Sequence, residues 1–194
     1  MDPQDSFPLG KLSPQDEILI ELNGIKFPRT KSRKNISSKW IEAFCLGDVN
    51  YRGQAAVDYK IRGPSKYNIR YPELFKKLQD FAIQENINYT TIQINKNIKS
   101  PPHIDKNNVG LSYIISLGDF TGGELIIEGK SFDIHKRLIK FDGNKGHWTV
   151  DFIGTRYSII YFTHTFKPPC SSKRNIIITE EGAFKKGILV RRYV

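Results

Sequence analysis

The segment 154–162 reads GTRYSIIYF, and it constrains the fold of this 194-residue chain more than any other stretch. β-Branched and aromatic side chains dominate it, a composition typical of a β-strand. Successive side chains of a strand point to opposite faces, so Arg156 and Ser158 share one face. The opposite face carries three bulky residues: Tyr157, Ile159 and Tyr161. The strand therefore places a charged group amid apolar neighbours.

Arg156 is the residue of this strand that most needs an explanation. An unpaired buried charge is very costly, so a buried guanidinium is expected to have a partner. A guanidinium matches a carboxylate in bidentate geometry, and the neighbouring Ser158 hydroxyl can add a third hydrogen bond. The carboxylate could belong to a small acidic ligand or to a structural Asp or Glu, and the side chain could instead reach water.

The pattern from Tyr89 onward predicts a series of short strands separated by turns. Gly- and Asp-containing turns, such as those at 121–123 and 142–143, lie between them. The predicted strands are 89–95, 103–105, 111–117, 124–128, 138–141, 147–151 and 156–163. Closely spaced antiparallel strands after one or two packing helices indicate a mainly β fold with flanking helices (α+β). The expected architecture is a double-sheet jelly roll with helices covering one face.

The N-terminal half carries weaker signals. A short strand is predicted at 18–22, a basic loop at 29–36, and a helix that begins at Ser37 or Ser38 and ends near Phe44. Residues 50–70 lack clear periodicity and are predicted to form a long, substrate-facing excursion. The best-signalled helix begins near Pro72, because apolar residues recur there at helical spacing. These are Leu74, Phe75, Leu78, Phe81 and Ala82.

His103, Asp105 and His147 are candidate metal ligands. Residues two apart on an extended chain point the same way, so His103 and Asp105 can hold one ion from one strand. A distant His147 would complete one triangular face of an octahedron. Such a site leaves three positions open, as a ferrous oxygenase needs for a bidentate keto acid and dioxygen. The His-x-Asp pair alone is weak evidence for metal binding, and the presence of Arg156 downstream strengthens that evidence.

The chain is strongly basic, with a net charge of +10 and a pI near 9.5. Basic residues cluster at 29–34, 173–174, 185–186 and 191–192, and aromatic residues lie near several basic groups. This balance favours a polyanionic partner, nucleic acid first, because phosphate neutralisation releases counterions. A merely basic soluble protein is an equally weighted alternative.

Length and composition predict one intracellular domain. No apolar run is long enough for a membrane span, and the N-terminus lacks the layout of a secretory signal. The two cysteines lie far apart, which favours a reduced compartment, cytoplasmic or nuclear. The predicted divisions are a loose leader (1–14), helical and loop support (15–88), a jelly-roll core (89–165) and a basic extension (166–194). Oligomeric state is not predicted.

The order His103-x-Asp105, His147, Arg156-x-Ser158 resembles the iron(II)- and 2-oxoglutarate-dependent dioxygenases, which have a double-stranded β-helix (a cupin-like jelly roll). The resemblance covers roughly residues 89–165. The sequences of segments 102–108, 116–125 and 141–158 further resemble the branch of ten-eleven-translocation methylcytosine oxidases and J-base-binding-protein thymine hydroxylases. A sequence similar to the Gly-Gly-Glu-Leu motif at 122–125 also occurs in prolyl and lysyl hydroxylases.

The resemblance implies Fe(II), 2-oxoglutarate and O2 as metal and co-substrates. It makes His103, Asp105 and His147 the ligands, with Arg156 holding the distal carboxylate of 2-oxoglutarate and Ser158 assisting. Four further residues are possible contacts, Asn95 and Tyr113 to the keto acid and Asn107 and Asn108 to a substrate base. Each could equally be an ordinary strand or turn residue. His135 is expected to be a solvated strand or loop residue. His164 is expected to be structural or exposed, with an approach to the mouth of the site as the alternative.

The predicted activity is hydroxylation of a C–H bond, preferably a methyl group of a nucleic-acid base, with release of succinate and CO2. A base in a duplex would have to be flipped out. One rival is a prolyl- or lysyl-type protein hydroxylase. A second is a nucleic-acid-binding module with a non-catalytic metal site.

Overall fold

The computed structural model describes residues 12–31, 33, 36–52 and 60–164, together with the backbone of three later strands. The predicted leader therefore lies almost wholly outside the described residues. The helices are α1 (Pro14–Gly24), α2 (Lys66–Arg70) and α3 (Pro72–Gln84). The strands are β1 (Arg29–Thr30), β2 (Ile41–Arg52), β3 (Lys60–Pro64), β4 (Thr91–Lys96), β5 (Ser112–Gly122), β6 (Leu125–Ile127), β7 (Lys130–Phe132), β8 (Ile139–Phe141), β9 (His147–Thr149), β10 (Phe152–Phe162), β11 (Ile176–Thr179), β12 (Gly182–Lys185) and β13 (Ile188–Arg191).

The strand predicted at 18–22 is wrong, because these residues belong to α1. The side chain of Ser13 caps the helix by accepting a hydrogen bond from the Asp16 amide, and Pro14 occupies the first turn. Ile18 and Leu22 are four residues apart, so they share one face and are buried together. The apolar run was short enough to fit either element, and the cap upstream was the signal that distinguishes them. The helix predicted from Pro72 is confirmed as α3.

The helix predicted to end at Phe44 is also wrong. This stretch enters β2, which pairs with β4 from Glu42 to Gly47 and with β3 from Asp48 onward. Backbone pairing on this strand outweighs the weak local helical preference. Part of the predicted 50–70 excursion is likewise regular, as β3 and α2, while 53–59 lie outside the described residues. Residues assigned to helical and loop support thus extend the core sheet.

The architecture is two opposed antiparallel sheets with helices on the outside of the larger one. The large sheet has the order β1-β2-β4-β10-β5-β8, with β3 also paired to β2. The small sheet has the order β7-β6-β9. The segment 154–162 lies in β10, which pairs with β4 on one side and β5 on the other. The strand predicted at 103–105 is reduced to one bridge, between His103 and His147.

Side-chain alternation divides the large sheet into two faces. The helix-side face packs against α1 and α3 and is formed by Ile92, Ile94, Ile115, Leu117, Tyr157, Ile159 and Tyr161. The cavity face looks towards the small sheet and is formed by Gln93, Asn95, Ile114, Ser158, Ile160 and Phe162. The cavity face is where the polar residues of the motif meet.

The C-terminal strands β11, β12 and β13 form a separate three-stranded antiparallel sheet within the predicted basic extension. No helix among the described residues is both long and apolar enough to cross a membrane.

Candidate metal centre

A cavity of about 400 Å³ lies between the cavity face and the small sheet. This volume is in the range typical of small-molecule sites. Five apolar side chains form part of its wall: Ile114, Leu125, Phe141, Ile160 and Phe162. The polar part of its wall contains all three predicted metal ligands.

His103, Asp105 and His147 converge as predicted. One ligand atom from each lies within 4.8 Å of the other two. Nε2 of His103 is 3.9 Å from Oδ1 of Asp105, and Nε2 of His147 is 3.9 Å from Oδ2 of the same carboxylate. Three ligand atoms at these separations can bind one divalent ion without a large movement of the backbone.

The two imidazoles are oriented by backbone carbonyls. Nδ1 of His103 is 2.7 Å from the Pro101 carbonyl oxygen, and Nδ1 of His147 is 2.8 Å from the Lys145 carbonyl oxygen. A ring nitrogen facing a carbonyl must carry the proton and donate it, so Nε2 of each ring keeps its lone pair. Burial lowers the pKa of His103, which favours the neutral ring that binds metal. This is the arrangement that second-sphere contacts impose on metal-binding histidines.

The ligand segments are also tied together through the main chain. The amides of His103 and His147 each donate to the other residue's carbonyl oxygen, at 3.1 and 3.0 Å. The Asp105 amide donates to the Gly143 carbonyl oxygen at 2.7 Å. The three ligands therefore keep their relative positions through backbone hydrogen bonds, although they are up to 44 residues apart in sequence.

Asn107 and Asn108 both line the cavity, but in different situations. Nδ2 of Asn108 donates to Ser112 Oγ at 3.1 Å and lies 3.4 Å from Asp105 Oδ2. Asn108 therefore supports the ligand turn, which is one of its two predicted alternatives. Asn107 is exposed at the cavity edge, where a substrate contact stays a prediction.

Arg156 is almost completely buried, at 1% exposure. Its guanidinium lies over the rings of Phe120 and Phe152, at 5.7 and 5.4 Å from the ring centroids. Nη1 makes a long hydrogen bond, 3.4 Å, to the Ile98 carbonyl oxygen, whereas Nε and Nη2 are buried and find no hydrogen-bond partner in residues 12–31, 33, 36–52 and 60–164. Burial lowers the pKa of Arg156 to about 10. The sequence left two alternatives open for Arg156, a pairing with a structural Asp or Glu and an exposure to water. Within the described residues the structure excludes both.

Gly123 lies between β5 and β6 and packs against the side chain of Arg156. Its φ is +78°, which favours glycine, and a Cβ added to it would lie 3.0 Å from Nε and 3.1 Å from Cδ of Arg156. The glycine therefore leaves the space that the Arg156 side chain occupies.

Ser158 and Asn95 lie on the same cavity wall and are hydrogen-bonded to each other. Asn95 Nδ2 donates to Ser158 Oγ at 3.0 Å, and Asn95 Oδ1 accepts from Arg33 Nη1 at 3.1 Å. Arg33 is a lining residue that the sequence did not single out. It was one of several basic residues in a predicted loop, and no spacing relates it to the ligands.

Tyr113 does not line the cavity, contrary to its predicted contact with the keto acid. Alternation along β5 turns it away from Ile114 and towards the main apolar core, where it packs at the edge. His135 also lies elsewhere, 3.1 Å from the Gly118 carbonyl oxygen and against Phe120. His164 does line the cavity, near the edge formed with Asn108.

The residues fit the implied metal and co-substrate. Two neutral imidazoles and one carboxylate suit a ferrous ion and leave open positions for other ligands. Arg156 does not itself line the cavity, and it lies two residues before the lining residue Ser158 on the same strand. Its buried donors, unsatisfied among the described residues, fit a carboxylate, because such donors are costly until an acceptor arrives.

The fold is found among solved structures. One similar structure is the crystal structure of an oxidoreductase of the 2OG-Fe(II) oxygenase family from Burkholderia pseudomallei. It is 16% identical to this chain, and the match covers 76% of each chain with a TM-score of 0.50. No family model matches, and no curated protein matches.

At this level of identity the likeness establishes the fold. The prediction of a mainly β jelly roll with flanking helices is confirmed. The resemblance to the 2-oxoglutarate-dependent superfamily agrees with this fold, whereas the finer resemblance to one branch stays a prediction.

Proposed function

We propose that this protein is an Fe(II)- and 2-oxoglutarate-dependent dioxygenase that hydroxylates a C–H bond. The observation that carries the proposal is the convergence of His103, Asp105 and His147 in one cavity. Strand β10, which forms part of the cavity wall, also bears a buried arginine whose donors are unsatisfied among the described residues. A structural metal site would have no need of a costly buried guanidinium.

In this mechanism His103, Asp105 and His147 hold the iron, and the carbonyls behind the imidazoles keep Nε2 directed at it. Arg156 binds the distal carboxylate of 2-oxoglutarate through donors that have no acceptor among the residues that the structure describes. The apolar part of the wall limits water around the reacting groups. When bound, iron with 2-oxoglutarate and O2 supplies the oxidation, in which a C–H bond becomes C–OH while succinate and CO2 are formed.

The substrate that we propose is a methyl group of a nucleic-acid base, of the thymine or 5-methylcytosine type. The net charge of +10 supports a polyanionic partner. Exposed cations also lie over aromatic rings, Lys66 over Tyr67 and Arg70 over Tyr71, each within 5.4 Å of a ring centroid. Such pairs suit phosphates and unstacked bases. Asn107, at the cavity edge, has an amide that can read a flipped base.

A protein hydroxylase is the second candidate, because one observation favours it. Three apolar side chains beside the ligand turn are exposed: Ile104, Val109 and Leu111. An apolar rim of this kind suits an extended peptide, whose binding depends less steeply on salt than that of nucleic acid.

Anaerobic titration with Fe(II) and 2-oxoglutarate tests the enzyme class. We expect a visible absorption band from the iron–keto acid chelate, and no band from the His147→Ala variant. A wild-type protein that binds nucleic acid without forming this band would instead be a binding module with a non-catalytic metal site.

Product analysis tests the substrate class. Methylated DNA, unmethylated DNA and peptides would be incubated aerobically with the loaded protein, and nucleosides and peptides analysed by mass spectrometry. We expect a mass increase of one oxygen on a base. Oxidation of peptide alone would replace the nucleic-acid proposal with the hydroxylase alternative.

A further inference from the structure

Arg33 contributes a second guanidinium to the cavity. It follows β1, is only partly exposed, and lines the same wall as Asn95 and Cys45. It also lines a smaller neighbouring cavity of about 140 Å³, together with Tyr67 and Thr30. Arg33 therefore stands where the metal-bearing cavity meets the side of the molecule that carries Tyr67.

Among the described residues Arg33 makes no close ion pair, although the Asp105 carboxylate lies near enough to raise the pKa of its guanidinium against the lowering effect of burial. Its hydrogen-bond acceptor is the neutral amide of Asn95, at 3.1 Å. Cys45 on the same wall is no substitute, since burial raises the pKa of its thiol to about 11 and keeps it neutral. Asp105 is the carboxylate of the cavity wall, and its oxygens are directed towards the metal ligands His103 and His147.

Arg33 and Arg156 are in different environments. Arg156 is enclosed by Phe120, Phe152 and the space above Gly123, and its free donors are fully buried. Arg33 lines the cavity wall, and within the described residues its side chain makes one hydrogen bond, to Asn95, which leaves donors for a ligand in the cavity. One 2-oxoglutarate needs one guanidinium for its distal carboxylate, because its other end is bound by the metal. Arg33 is then left for a different anion.

We infer that Arg33 binds an oxyanion, a phosphate or a carboxylate, of the substrate that is oxidised. This inference rests on the proposed function and narrows its substrate class to molecules with an anionic group close to the oxidised C–H bond. A nucleotide phosphate beside a flipped base meets the requirement. A guanidinium is suited to either oxyanion because its N–H groups match two oxygens at once. Arg33 would thus determine substrate specificity.

The test is ligand-observed NMR with Mn(II) and 2-oxoglutarate bound to the full chain under anaerobic conditions. Paramagnetic relaxation of ligand protons reports binding near the metal without turnover. The probes are two matched pairs, thymidine 5′-phosphate with thymidine, and hexanoate with hexan-1-ol. The variants are Arg33→Gln and Arg33→Lys, and the control is Arg29→Gln, which removes the same charge from an exposed position nearby.

We expect one anionic probe to bind at least about tenfold more tightly than its neutral counterpart in the wild type and in Arg29→Gln. Arg33→Gln should abolish this preference, and Arg33→Lys should keep part of it. The pair that shows the preference identifies phosphate or carboxylate as the anion. Circular dichroism of the variants, compared with the wild type, shows that the fold is retained.

Two results would overturn the inference. One is equal binding of charged and neutral probes by the wild type. The other is an Arg33→Gln variant that keeps the anion preference but loses affinity for 2-oxoglutarate, since Arg33 would then serve the co-substrate. Failure of the proposed function is a separate result, the absence of the Fe(II) chelate band in the wild type. A band without an anion preference refutes only the role of Arg33.

Discussion

The two faces of the large sheet use the same strands for opposite purposes. On the helix-side face, Tyr161 donates its hydroxyl to the Leu78 carbonyl oxygen and Tyr157 donates to Asn23 Oδ1, each at 3.0 Å. Apolar contacts and satisfied hydroxyls make this face a stable core. On the opposite face, one residue before Tyr157 and behind the cavity wall, Arg156 is buried with two nitrogens that have no partner among the described residues.

Under the proposed function, this difference marks where the molecule accepts a cost in stability for ligand binding. Buried unsatisfied donors destabilise a fold by about 1–3 kcal/mol each, so they persist where a ligand later satisfies them. The helix-side face stabilises the sheet that carries this cost. Mutations on the two faces should therefore affect different measurements, stability on one and ligand binding on the other.

The largest effect is expected from a metal ligand. His103→Gln removes one of three ligand atoms, and the affinity for Fe(II) should fall by more than about 100-fold, since even the outer partners of such ligands contribute up to that factor. Metal titration measures the loss. His135→Gln is the matched control, because His135 lies outside the cavity wall. Equal losses in both variants would contradict the assignment.

A substitution on the helix-side face should have the opposite effect, a loss of stability with no change in Fe(II) affinity. Leu78 is fully buried, so Leu78→Ala should lower the free energy of unfolding by about 2–5 kcal/mol through lost apolar contacts and a cavity. Chemical denaturation measures this, and the Fe(II) affinity of the folded protein should not change. Ile83→Ala on the same helix is the control, since Ile83 is exposed and should cost less than about 0.5 kcal/mol.

Arg156→Gln should separate binding from stability on the cavity face. The affinity for 2-oxoglutarate should fall roughly 100-fold, because a buried charge-assisted pair is lost. The free energy of unfolding without ligand should be unchanged or higher, since Nε and Nη2 lose no hydrogen bonds. Denaturation and the chelate band measure the two quantities. A large loss of stability would instead indicate a structural guanidinium. Arg137→Gln, at an exposed site, controls for the charge.

Gly123→Ala should also weaken the binding of 2-oxoglutarate, but by less than Arg156→Gln. The new Cβ meets Nε and Cδ of Arg156, so the guanidinium must shift and 2-oxoglutarate should bind roughly tenfold more weakly. Gly129→Ala is a close control, because Gly129 has a similar φ, +81°, and nothing within 4 Å of the added atom. Both variants share the backbone strain of a positive φ, so a difference in 2-oxoglutarate affinity isolates the contact with Arg156.

Sequence patterns identified the residues of the candidate metal centre because each has a distinctive chemistry, and because His103 and Asp105 have a short-range spacing. Period-two alternation in 154–162 correctly separated the two faces of β10. Alternation applied to β5 would also have shown that Tyr113 and Ile114 face opposite ways. The errors at α1 and β2 came from short apolar segments, where helix and strand patterns overlap and partners elsewhere in the chain decide.

By itself, the sequence determined the candidate ligand set and the central strand with its buried arginine, because these depend on residue type and on neighbours along the chain. The tertiary structure alone decided which polar residues share the cavity. It brought Arg33 to Asn95, 62 residues away, and directed Asn108 towards Asp105. Contacts between distant segments depend on strand order and register, and no local pattern of residues encodes those.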